Sequence, residues 1–148
     1  YDDLYGADPM REVKEYPGLF SVLQTLKRHG FRLAVLSNKP DRDARAVVSH
    51  LFPEGFFDRC YGQREEIPRK PAPDGALLIA KELDVLPQDC LYIGDSGVDM
   101  ETGRAAGMKT VGVLWGFRDR EELTEHGADA LAKVPEDLLL LAETEKPQ

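Results

Sequence analysis

The chain has 148 residues, 42% hydrophobic and 31% charged, which bounds it to one compact domain with enough apolar material for a real core. A formal net charge of -8 and a pI near 4.9 count against a nucleic-acid binder, which presents a basic face. No apolar run approaches the ~20 residues of a membrane span, and no secretory signal pattern is visible.

Tyr1 to Tyr16 is acidic, contains Pro9 and fits no regular rhythm. It reads as the tail of another element, joined through Pro17-Gly18, and a start on Tyr1 rather than Met carries the expectation that something precedes it. Leu19, Val22, Leu23 and Leu26 fall at helical spacing, with Gly30 as a natural stop. Phe31 to Leu36 predicts a short buried strand, and a helix from about Asp41 carries Ala44, Val47, Val48 and Leu51 as its apolar stripe. Phe57 to Tyr61 predicts a second strand, and Ala76 to Leu83 a helix entered through Pro71, Pro73 and Asp74. Cys90 to Gly94 is the next strand, followed by a helix from about Asp99 to Ala106 that Gly107 closes. Thr110 to Trp115, Arg120 to Glu125, Ala130 to Lys133 and Glu136 to Leu141 predict strand, helix, strand and helix. Such βαβα alternation with short connections predicts a parallel sheet covered on both faces. Cys60 and Cys90 sit in strand-like runs, so both read as buried, reduced thiols of a cytoplasmic protein.

Three segments carry chemistry. Ser37-Asn38 follows the first strand, where a hydroxyl and exposed amides make a seat for a phosphate oxygen. Taken alone, these residues read first as a helix cap. Arg69-Lys70-Pro71-Ala72-Pro73-Asp74 holds a lysine between prolines ahead of a helix, a fixed point charge where an isolated Lys would be a solvated one. Gly94-Asp95 delivers a carboxylate to the end of an apolar strand, and Asp99 follows one turn later. Open α/β sheets bind ligands at that edge, and paired oxygen ligands suit a hard cation such as Mg²⁺. Alone, the two acids would be helix-entry residues complementing the dipole. Together, hydroxyl and amide donors, a cation and a metal-binding acid are the parts that hold a phosphoryl group in transfer.

Leu36-Ser37-Asn38-Lys39-Pro40, Lys70-Pro71-Ala72-Pro73 and Gly94-Asp95-Ser96-Gly97-Val98-Asp99-Met100 resemble the second, third and fourth motifs of the haloacid dehalogenase superfamily. Ala106 to Arg118 narrows the likeness to the phosphoglycolate phosphatases within it. The resemblance implies a three-layer α/β/α Rossmann-like core over residues 18–148, with residues 1–17 the end of a helical cap and its linker. It implies that Ser37 and the Asn38 backbone hold phosphate, that Lys70 neutralises it, and that Asp95 ligates Mg²⁺ with Asp99 on the metal or one of its waters. A carboxylate attacking a phosphate dianion at 4 Å meets about 4 kcal/mol of repulsion per charge pair at an effective dielectric of 20. Mg²⁺ and Lys70 would have to cancel it.

The family's first motif, a strand ending in Asp-x-Asp that supplies the nucleophile, is missing. Asp41-Arg42-Asp43 has the spacing but follows Pro40 at a helix start, and Asp2-Asp3 has no strand before it. By resemblance the absent strand belongs between the Ser37 and Asp95 strands, so its loss predicts a gap of roughly 10 Å and two unpaired edges. The expectation is therefore the C-terminal portion of a Mg²⁺-dependent phosphatase for a small phosphorylated metabolite, inactive by itself. The alternatives are a non-catalytic phosphate-binding or interaction module and a phosphomutase of the same superfamily. A dehalogenase, which needs no metal, and a response-regulator receiver fit less well. Substrate identity and oligomeric state are not encoded in these motifs.

Overall fold

The structure is a computed structural model describing residues 18–114 and 120–145. The expected cap tail at 1–17 and the Trp115 to Arg118 stretch lie outside the described residues. The elements run in chain order as α1 (Gly18–Arg28), β1 (Ala34–Pro40), α2 (Asp41–Leu51), β2 (Arg59–Gln63), α3 (Asp74–Glu82), β3 (Leu91–Gly94), α4 (Gly97–Ala105), β4 (Lys109–Val113), α5 (Arg120–Glu125), β5 (Ala130–Ala132) and α6 (Asp137–Glu145).

Every strand pair is parallel, but the strands form two sheets. β1 pairs with β2, and β3, β4 and β5 pair in that order. β1 and β3 share no ladder. Between their lower ends lies an apolar cavity of about 410 Å³, lined by Leu26, Leu33, Leu91, Ile93, Leu138 and Ala142 among others. Among the described residues the Ser37 and Asp95 strands thus belong to different sheets.

Alternation along the strands sorts side chains into two cores. Leu33, Leu91, Ile93, Val111 and Val113 meet α1 and α6 on one face. Ala34, Leu36 and Tyr92 meet α3, with Ala106 and Met108, on the other. Two aspartates begin the outer ladders in the same way. Asp58 accepts the Leu33 amide at 2.9 Å and returns its own amide to the Leu33 carbonyl at 2.7 Å. Asp129 does likewise with Thr110, at 2.8 and 2.9 Å.

Some boundaries differ from the periodicity. β1 runs on to Pro40, so Ser37 and Asn38 lie within the strand and not after it, because β2 extends beside it until Pro40 faces Gln63. β2 begins at Arg59, since Phe56 and Phe57 are drawn into an aromatic cluster with Phe20 and Phe52. Cys90 is buried as expected, just ahead of β3, and burial raises its thiol pKa; Cys60 is only half-buried. α4 starts at Gly97, two residues early, because Ser96 caps it.

α4 approaches β3 and β4 through Gly103, where an added Cβ would meet Thr110 Cγ2 at 2.5 Å and Tyr92 Cβ at 2.8 Å. Both neighbours are fully buried, so Gly103→Ala is expected to destabilise. Overpacking of roughly 1–3 kcal/mol exceeds the gain of at most about 1 kcal/mol in helix propensity, and the urea midpoint should fall. Outside the core, Glu82 of α3 accepts Tyr61 Oη at 2.6 Å and Arg59 Nε at 3.0 Å. The tyrosine hydroxyl first, then the guanidinium, hold its carboxyl below the usual value. A depressed folded-state pKa contributes stability above the unfolded value that is lost as pH falls through the folded one. Glu82→Gln should therefore be less stable than the parent at neutral pH, and urea midpoints should converge below about pH 4.

Candidate active site

The carboxyl ends of β1 and β3 carry the charged residues, and a single hydrogen-bonded chain joins them. Lys70, in the loop ahead of α3, sends its ammonium across the division to Asp99 of α4, with Nζ donating to Oδ1 at 2.7 Å. The same Nζ lies 3.5 Å from the Leu36 carbonyl of β1. Asp99 is fully buried and Lys70 is 7% exposed. Two charges removed this far from water persist only when they are paired and hydrogen-bonded.

Each partner is fixed from behind. Asn38 accepts the Lys70 amide through Oδ1 at 2.9 Å, and its Nδ2 reaches the Lys70 carbonyl at 3.5 Å. This side-chain clasp ties the Lys70 loop to β1. Asp99 Oδ2 accepts the Asp95 amide at 3.2 Å and the Ser96 hydroxyl at 3.1 Å. Ser96 Oγ in turn accepts the Asp99 amide at 3.3 Å, capping α4. Asp99 can lie against β3 only because residue 94 is glycine, since a Cβ there would overlap the Asp99 carboxyl group. Ser37 is buried beside this network, its Oγ accepting the Lys39 amide at 3.1 Å.

Hydrogen bonds therefore link Asn38, Lys70, Asp99 and Asp95 at one pole, with Ser37 next to Asn38 on β1 and bonded to the Lys39 amide. The apolar cavity below is lined by none of them. Asp41, the other candidate acid, is committed elsewhere. It accepts the Gly62 amide at 2.8 Å and Arg45 Nε at 2.7 Å. Burial raises its pKa, but these two partners outweigh that and bring it below the usual value. It enters α2, as its position after Pro40 implied. Sequence reasoning missed Ser96 as the cap and the part its hydroxyl plays in orienting Asp99. The Ser-x-x-Asp spacing before a helix carried that signal.

Among the described residues, no group of three or more His, Cys, Asp or Glu side chains converges as a ready-made metal cage. Two carboxylates are enough for Mg²⁺, which keeps several waters and takes phosphate oxygens as further ligands. The donor set fits that cation. Three of the roughly four acceptor positions of Asp99 are already occupied, so its carboxylate is held in orientation.

Residues 3–113 match the family model for haloacid dehalogenase-like hydrolases. The chain belongs to this family. It is 34% identical over 137 residues to a phosphoglycolate phosphatase of Aquifex aeolicus, covering 93% of this chain and 63% of that protein. A crystal structure from Lactobacillus delbrueckii subsp. bulgaricus, provisionally assigned as a phosphoglycolate phosphatase, superposes with a TM-score of 0.81 at 39% identity. That match covers 86% of this chain and 53% of the other. A Thermotoga maritima structure, provisionally a beta-phosphoglucomutase, gives 0.76 at 30% identity, over 86% of this chain and 59% of that one. The chain thus spans between half and two-thirds of the length of these proteins. It is a haloacid dehalogenase-like hydrolase related to phosphoglycolate phosphatases. Among the described residues, no helix is long and apolar enough to cross a membrane.

Removing the ammonium from the buried pair leaves Asp99 as an uncompensated charge. Lys70→Met is expected to cost about 3–5 kcal/mol, and the double variant Lys70→Met/Asp99→Leu should recover most of that loss. Urea denaturation of both single variants and the double variant gives the coupling directly.

Proposed function

We propose that this chain is the C-terminal part of a Mg²⁺-dependent phosphatase acting on a small phosphorylated metabolite of the phosphoglycolate type. The observation that carries the reading is the buried Lys70–Asp99 pair at 2.7 Å, placed where β1 and β3 end and tied to Asn38 and Asp95 on either side. The family match and the relatives' identities support the same reading.

In this proposal the Ser37 hydroxyl and the Asn38 amide bind the phosphate oxygens. Lys70 supplies fixed positive charge against the phosphoryl group and the attacking carboxylate, and Asp99 keeps that ammonium from turning toward solvent. Asp95 would ligate the cation, with Asp99 on the cation or one of its waters. Mg²⁺, when bound, neutralises the charge that builds on the transferring group.

The nucleophile is an aspartate upstream of this chain, which forms an aspartyl-phosphate that water then hydrolyses. Its strand would lie between β1 and β3, which share no ladder among the described residues and border an apolar cavity of about 410 Å³. A strand flanked on both sides by parallel neighbours and covered on both faces is apolar throughout. Residues 1–17 are proposed as the end of a helical cap. The likeness to the Thermotoga maritima structure keeps phosphoryl transfer between two positions of one sugar as a second reading.

Hydrolysis of 2-phosphoglycolate and p-nitrophenyl phosphate, with Mg²⁺ or EDTA, tests this on the 148-residue chain and on a form extended to include the Asp-x-Asp strand. Turnover is expected only in the extended form with Mg²⁺, and Lys70→Met should lower its kcat by about 10²–10³, the scale of losing one preorganised electrostatic group. Turnover insensitive to EDTA would overturn the metal-dependent reading. Silence from both forms would favour a non-catalytic phosphate-binding module. Conversion of a sugar phosphate without release of phosphate would favour the mutase.

A further inference from the structure

The turn that carries Asp95 and Asp99 is held from outside by α5, an element to which neither the motifs nor the proposed chemistry assigns a part. Glu122 Oε2 accepts the amide of Gly97, the first residue of α4, at 2.9 Å. That amide is one of the helix-initial donors without an intrahelical partner. Ser96 Oγ takes the Asp99 amide, and Glu122 adds a cap on the Gly97 amide from another element. One turn further along, His126 lies against the same residue, and a Cβ at Gly97 would meet its ring at 2.5 Å. His126 Nδ1 is 2.6 Å from Glu101 Oε2 on α4. α5 is itself anchored by Leu123, which is fully buried and packs over Gly112 of β4.

We propose that Glu122 is a positioning residue for the Asp95–Asp99 turn: by taking the Gly97 amide it fixes the first turn of α4, and so the direction in which Asp95 and Asp99 present their oxygens to a divalent cation. The consequence for cation binding rests on the metal reading above, whereas the restraint on the turn does not. Two adjacent hydrogen bonds make the restraint effective. The Asp95 amide bonds inward to Asp99 and the Gly97 amide bonds outward to Glu122, so the peptide planes around Ser96 are pinned from opposite sides. Losing the outer bond frees the turn to rotate without breaking β3. The effect is geometric, because a glutamine at 122 retains the accepting oxygen while removing the charge.

The test compares Glu122→Ala, Glu122→Gln and, as an exposed control on the same helix, Glu121→Ala, in the metal-free 148-residue chain and then in Mg²⁺ titrations by calorimetry. Amide exchange at residues 97–100 should accelerate at least tenfold in Glu122→Ala and stay near the parent rate in Glu122→Gln and Glu121→Ala. Outer partners of metal ligands typically alter metal affinity by about 10–100-fold. The Mg²⁺ dissociation constant should rise within that range in Glu122→Ala and by less than about threefold in Glu122→Gln. Unchanged exchange in Glu122→Ala overturns the proposal, as does a lowered melting temperature with Mg²⁺ affinity intact. Equal losses in the Gln and Ala variants overturn it too, since charge and not geometry would then be responsible. If the parent binds no Mg²⁺, the metal reading fails, and the exchange rates alone decide whether Glu122 holds the turn.

Discussion

The structure depends on one buried charge pair placed where the backbone ladders stop. Lys70 lies in the loop ahead of α3 and Asp99 in the first turn of α4, each next to one of the two sheets, and their contact at 2.7 Å bridges a division that, among the described residues, no strand ladder crosses. An ion pair in such a place is a poor source of net stability, because desolvation of both groups offsets most of the attraction. Its worth is positional. The pair places an ammonium and a carboxylate at one pole with almost no freedom, and the groups around it serve that end: the Asn38 clasp, the Ser96 cap and the absence of a side chain at Gly94.

The rest of the fold supplies the frame. Helices α1 and α6 cover one face of the strands and α3 with α4 cover the other, so the polar pole is carried on two apolar cores. Asp58 and Asp129 set the start of the outer ladders. The tension in the design is at the middle of the strands. Leu33, Leu91 and Ile93 are apolar residues of the core, yet they also line a cavity of about 410 Å³. The chain matches the family model over residues 3–113, while its share of the matched relatives' length stops short of two-thirds.

Much of this was legible in the residues. Helical spacing in Leu19 to Leu26 and the apolar run Leu91 to Ile93 declared α1 and β3, because burial on one face or both leaves a periodic trace. The grouping of the Ser37, Lys70 and Asp95 segments at one edge was legible from the strand ends, but the direct Lys70–Asp99 pair was not, since local patterns say nothing about which side chains touch. β1 outran its apolar segment because strand pairing with β2, and not hydrophobicity, decides where a ladder ends. Phe56 and Phe57 looked like strand residues and became part of an aromatic cluster, a tertiary outcome that overrides β-propensity. Glu122 carried no sequence signal at all, because its partner is a backbone amide 25 residues away.

Division of the strands into two separately bonded sets has a mechanical consequence. Proteins resist deformation chiefly along directions that break ladders or compress packed side chains. Among the described residues no ladder joins β1 to β3, so packed side chains and polar contacts such as Lys70–Asp99 are what oppose a shear along that line. A push on α1 from solvent would pass to the strands through the apolar core that α1 shares with Leu33, Leu91 and Ile93, and not through a backbone ladder joining the two sheets.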